Sequence, residues 1–206
     1  MKRRIVVAGA LGATAMVGGT LFPPLMALFV PSVADGVGAP LLTAPNTLVM
    51  ASALMLLPGA VGLYLAHVDS FGMPSTVAVV ALVVGLLAVF ALALAEFAVD
   101  SVPGSALAWS VAGGLATAGA VGSGLATASS NTLAHRRVGG GLLALSAVAM
   151  IGAVPALDAL GGTVPDGLAV LLATGPAGLA WLILGYDMLT LQDLSIQPTR
   201  ILPAED

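Results

Sequence analysis

The sequence predicts an all-α fold: an integral membrane bundle of six transmembrane helices in one domain. Three observations predict it. Of 206 residues, 59% are hydrophobic and 8% are charged, against about 45–50% apolar and about 25% charged in a typical soluble domain. A chain this short has too little interior to absorb so much apolar side chain. Six apolar runs also reach the roughly 20 residues that a membrane-crossing helix needs, and the basic residues gather between alternate runs.

The first run covers 5–30. Lys2, Arg3 and Arg4 precede it, and Pro23-Pro24 lie near its far end. With Ser32-Val33-Ala34 this start loosely imitates a cleaved secretory leader. The apolar run is longer than a leader's, so a span is expected instead. The segment from Pro31 to Pro45 is expected to be the longest external loop, with Leu41-Leu42 suited to the membrane surface. The later runs cover 46–68, 76–99, 105–128, 138–160 and 166–189. Pro31, Pro40, Pro45, Pro74, Pro103 and Pro165 fall between runs. Proline lacks an amide donor and restricts its predecessor, so helix ends are expected there. Residues 190–206 are expected to form a short cytoplasmic tail.

Orientation follows from positive charge. Lys2 to Arg4, the pair Arg136-Arg137 and Arg200 all fall on one side of a six-span topology. The opposite connections carry Asp35, Asp100, Asp158 and Asp166 and no basic residue. Both termini are therefore expected in the cytoplasm, with the chain in the cell membrane and the lipid bilayer as its first partner.

Composition removes several chemistries. The chain has no cysteine, so disulfides, iron–sulfur clusters and thiolate metal sites are excluded. Lys2 is its only lysine, which leaves no lysine inside the fold for a Schiff base. His67 and His135 are its only histidines, too few for a three-histidine metal site. A net charge of −4 argues against nucleic acid, which is bound through clustered Lys and Arg. Neither a cofactor nor an enzymatic activity is expected. Asp69 and Asp187 could form an intramembrane aspartyl pair, but the Gly-x-Gly-Asp motif such proteases carry is absent. Gly122-Ser123-Gly124 has no histidine in a later span to serve a serine nucleophile.

The fourth run is the most patterned. Ser110, Gly114, Ala118, Gly122, Ala126 and Ser130 recur at every fourth residue, which places them on one slowly drifting helix face. Small residues let helix backbones approach in a membrane. Thr117, Ser123 and Thr127 add hydroxyls that can bond across helices. Span four is thus expected at the centre of the bundle or at an interface with a second copy or a membrane-protein partner. Gly139, Gly140 and Gly141 are expected to form the turn before span five.

A second set of residues suggests a path through the bundle. Pro58 and Pro176 fall inside spans two and six and are expected to kink them, freeing a backbone carbonyl. Each proline precedes an aspartate, Asp69 or Asp187, by eleven residues, a weak echo of duplication. Glu96 is the one acid clearly inside a span, near its outer end. An ionisable group there is costly and hence a candidate to bind a cation or proton, or it is an interfacial carboxylate reaching water. His67, Asp69, His135, Arg136, Arg137, Tyr186 and Asp187 collect at the inner edge. His67 with Asp69 could handle protons there, or the group could simply set orientation.

Polar groups within the spans are few. The expected function is therefore a structural or accessory membrane subunit that packs through span four. The alternative is a small transporter or channel for an ion or an apolar, lipid-like solute, using the kinked spans two and six.

Overall fold

The computed structural model describes residues 2–34, 39–98, 105–160 and 166–196. Its elements are α1 (Lys2–Ala34), α2 (Ala39–His67), α3 (Met73–Ala98), α4 (Ser105–Ser129), α5 (Arg136–Leu160) and α6 (Asp166–Ile196). No strand occurs among the described residues. Among the described residues, three helices hold stretches long and apolar enough to cross a membrane: Arg3–Pro24, Met73–Ala95 and Leu107–Ser129. Ala53–His67 is a shorter apolar stretch of the same character.

The helix ends depart from the proline rule. Pro31 lies within α1 and Pro45 within α2. The expected external loop from Pro31 to Pro45 is therefore helical on both sides, and only residues 35–38 separate the two helices. Pro40 and Pro74 are the second residues of α2 and α3. Proline is well suited there, because its missing N–H has no intrahelical acceptor and its fixed φ is already helical. Pro103 and Pro165 lie outside the described residues. The three glycines expected as a turn instead lie inside α5, and α6 runs on to Ile196 rather than giving way to a tail at residue 190.

Each helix packs against its neighbours in sequence, and the last closes on the first. α1 lies against both α2 and α6, which also touch one another, while α4 packs between α3 and α5. The side chains are sorted by size. Alanine and glycine fill the seams, and a leucine or valine more than half exposed looks outward from every helix: Val17, Leu54, Val80, Leu107, Leu145 and Leu172. Inside, Leu56, Leu63, Leu82, Leu143, Trp181 and Leu184 belong to one continuous core.

Glycines explain how closely the helices approach. α1 and α6 cross at two reciprocal pairs. A methyl group on Gly12 would lie 2.7 Å from the Gly185 carbonyl oxygen, and one on Gly19 would lie 2.7 Å from that of Gly178. Both pairs are seven residues apart on each helix, so the same faces meet two turns later. α4 and α5 repeat the device, with a Gly124 methyl 2.6 Å from the Gly140 carbonyl oxygen. α3 and α4 interlock more tightly, Gly85 receiving the backbone of Ala116 and Gly119 that of Leu82. Backbone contact of this kind replaces large interdigitating side chains as the source of packing.

Candidate functional site

The ends of the helices that carry Arg3, Arg4, Arg136 and Arg137 meet at one end of the bundle, the basic end. Here α2 turns into α3 and α4 into α5. Ser70 lies within hydrogen-bond distance of Thr132, with Oγ and Oγ1 3.3 Å apart, and this joins the two turns. Arg136 closes the second turn. Its guanidinium donates to Asn131 Oδ1 at 2.8 Å and to the Leu133 carbonyl at 3.1 Å. This holds Leu133, 1% exposed, against the end of the core. Arg4 of α1 stands 4.0 Å from Asp69, with both side chains largely exposed, a surface pair of little energetic weight.

Asp187 is the buried acid of the site. α6 carries it inward beside Leu184 and Met188, and it is 1% exposed. Both of its donors belong to His135. The His135 backbone N–H reaches Oδ2 at 2.7 Å, and Nδ1 of the ring reaches Oδ1 at 2.8 Å. His135 directly precedes α5, and its carbonyl accepts from the N–H groups of Val138 and Gly139. The carboxylate thus fastens the first turn of α5 and sits where the positive end of that helix dipole favours an anion.

His67 is the last residue of α2, one turn beyond Leu63 and on the same buried face. Its Nδ1 donates to the Leu63 carbonyl at 2.9 Å. The ring stacks on Phe71 with centroids 4.7 Å apart. A carbonyl only accepts, so the hydrogen is on Nδ1 and the neutral ring offers Nε2 as an acceptor. Among the described residues, that buried Nε2 and the buried hydroxyl oxygen of Thr127 have no hydrogen-bond partner in the protein.

The residues singled out from sequence divide as follows. His67 and Asp69 face apart, His67 inward and Asp69 outward beside Arg4. Asp69 and Asp187 do not pair, because the carboxylate of Asp187 is turned to His135. The equal spacing from Pro58 and Pro176 therefore ends in unlike environments: α2 stops before Asp69, whereas α6 continues past Asp187. Both helices run unbroken through their prolines. The carbonyls deprived of an amide donor are those of Leu54 and Leu172, residues on the outer surface. Glu96 lies in α3, with its side chain outside the described residues.

The small-residue stripe of α4 does not stay on one face. Residues four apart drift about 40° per step, so six of them sweep about 200°. Gly114 and Ala118 look outward, and a methyl on Gly114 would meet nothing within 4 Å. Gly122, further along, turns onto α3, where a methyl would lie 2.6 Å from Ala78 Cβ. Ser110 is exposed at the start of the stripe, and Ala126 and Ser130 are half-buried at its end. The closest backbone approaches of α4 are at Gly119 and Gly124, which the fourfold spacing skips.

Sequence reasoning missed the His135–Asp187 pairing and the inward hydroxyl of Ser146; of the hydroxyls it named, Ser123 and Thr127 are buried, and Ser123 bonds the Ala120 carbonyl of its own helix. A lone acid near the end of an apolar run signals Asp187. Nothing local identifies a partner fifty-two positions away. Compared with protein-family models, curated proteins and solved structures, the chain has no match.

Proposed function

We propose that this chain is a six-span integral membrane protein with both termini in the cytoplasm, and that it serves as a structural or accessory subunit pairing with a second copy through α4. The leucine and valine exterior supports a lipid environment, since a water-soluble chain rarely exposes so much contiguous apolar surface. The shared basic end supports the orientation.

One observation carries the pairing. Most described glycines are filled by a neighbouring helix; Gly141 and Gly175 stand open singly on α5 and α6, whereas α4 presents two adjacent open glycines, Gly113 and Gly114. They lie between exposed Leu107, Val111 and Leu115. A small-residue face toward lipid invites a close helix neighbour. Copies inserted the same way up are related by a two-fold along the membrane normal. That symmetry sets α4 parallel to its mate and Gly114 against Gly114.

The chain has no cysteine, so Ala118→Cys introduces a single reporter. Oxidation in native membranes should give a covalent dimer, while Leu145→Cys on α5 should not. Equal crosslinking of both, or none, overturns the α4 pairing.

The transporter or channel reading draws on a different observation, the polar groups His67, Ser123, Thr127 and Ser146 in the interior. Ion or solute flux into liposomes containing the purified chain tests it.

A further inference from the structure

We propose that His67 and Thr127 form a buried hydration site at the basic end of the bundle, where one water molecule donates to His67 Nε2 and bonds Thr127 Oγ1. The proposal is independent of the pairing through α4.

The two atoms have matched needs. The bond from Nδ1 to the Leu63 carbonyl leaves Nε2 able only to accept while the ring is neutral. A hydroxyl both donates and accepts. Water alone among common small molecules can serve both groups without adding bulk or charge, and a buried water characteristically satisfies such otherwise unpaired groups.

Thr127 does not return its hydroxyl to its own helix. Ser123 and Ser146, equally buried, return their hydroxyls to carbonyls three residues back, those of Ala120 and Leu143. Thr127 makes no such bond. On α4 its position falls between the face that meets α3, marked by Gly119, and the face that meets α5, marked by Gly124. At about 100° per residue, that direction is the bundle interior, and Ala120 and Ser123 share it. His67 occupies the corresponding face of α2, in line with Leu56, Ala60 and Leu63, all buried.

The two residues also share a level. The His67 carbonyl accepts from Ser70 Oγ at 3.0 Å, and the Thr127 carbonyl accepts from Ser130 Oγ at 2.8 Å. Ser70 is in turn in contact with Thr132. Both residues therefore border the same layer of turns, which also holds the buried Leu133. The site would give the one interior imidazole a proton-exchange partner.

The test uses the full chain in lipid nanodiscs with ¹⁵N-labelled histidine. The expected spectrum shows His67 protonated at Nδ1, with a water cross-peak at Nε2 that weakens or shifts in Thr127→Val. A ring protonated at Nε2, an absent water cross-peak, or a cross-peak unmoved by Thr127→Val overturns the shared site. A thermal cycle gives a second readout. His67→Phe and Thr127→Val should each lower Tm, and the double variant should lose less than the sum, because one water serves both. Additive shifts overturn the bridge. If His67→Phe does not fold, the nanodisc spectra decide alone.

Discussion

Asp187 and His135, fifty-two residues apart, are joined by two hydrogen bonds to opposite oxygens of one carboxylate, at 2.7 and 2.8 Å. The link is between α6 and the residue just before α5, so it fixes where the second half of the bundle closes. Its two bonds differ in origin. One comes from a backbone N–H that any residue at position 135 would supply. The other needs the imidazole.

That difference makes the pair separable by mutation. Asp187→Ala removes both acceptors, a loss of about 3 kcal/mol at the usual worth of hydrogen bonds to a carboxylate. His135→Ala keeps the backbone bond and should cost about 1 kcal/mol. Thermal unfolding in detergent ranks the two variants. Equal losses would show that the backbone bond contributes nothing.

The glycines offer a sharper contrast, since their neighbours are known. A methyl on Gly185 would lie 2.5 Å from the Gly12 carbonyl oxygen and 2.6 Å from Met16 Cγ. Backbone cannot yield without parting α1 from α6, so Gly185→Ala should cost about 1–3 kcal/mol, as overpacking does. Gly113→Ala meets open space and should be neutral or gain up to about 1 kcal/mol from helix propensity. Comparing Tm for the two variants checks the crossing geometry, and a Gly185→Ala protein as stable as wild type would refute it.

How far the sequence foretold this arrangement depends on the range of the interaction involved. Helix number and order were legible because apolar run length is a local property. Helix ends were less so. Pro31 and Pro45 lie in helices because proline removes one hydrogen bond without forcing the chain to turn. At Pro58 and Pro176 the same tolerance holds. The stripe of α4 was visible, but its fate was not, since a fourfold spacing drifts around a helix and each end meets a different neighbour. The site was legible only as a collection: His67, Asp69, His135 and Asp187 could be placed at one end, yet which acid met which histidine depended on α6 continuing past Asp187. Thr127 was legible only as one of three hydroxyls able to bond across helices, because an inward hydroxyl looks the same in sequence as an outward one.

The two glycines expected to act alike on the stripe should now separate. Gly122 faces Ala78 within the monomer, whereas Gly114 faces outward. Gly122→Leu should lower Tm and yield of the folded chain. Gly114→Leu should leave the monomer's Tm unchanged and reduce the dimer fraction by native mass spectrometry. A Gly114→Leu protein that dimerises like wild type removes α4 from the pairing interface.

Leu133 tests whether the turn between α4 and α5 is a structural plug or a loose connection. It is a turn residue, yet it is 1% exposed and joins the same core as Leu63 and Leu184. Arg136 holds the turn in place through the Leu133 carbonyl and Asn131. Burial of this kind makes Leu133→Ala a core truncation, with an expected loss of about 3 kcal/mol from lost transfer energy and the cavity left behind. Asn131→Ala, by contrast, removes an exposed contact and should shift stability by less than about 1 kcal/mol. Hydrogen exchange at residues 130–135 gives the local readout. Faster exchange there in Leu133→Ala, with the middle of α4 still protected, is the pattern of a plug withdrawn from an otherwise intact bundle. Exchange as fast in the wild type would mean that the turn is open and Leu133 does not seal the core.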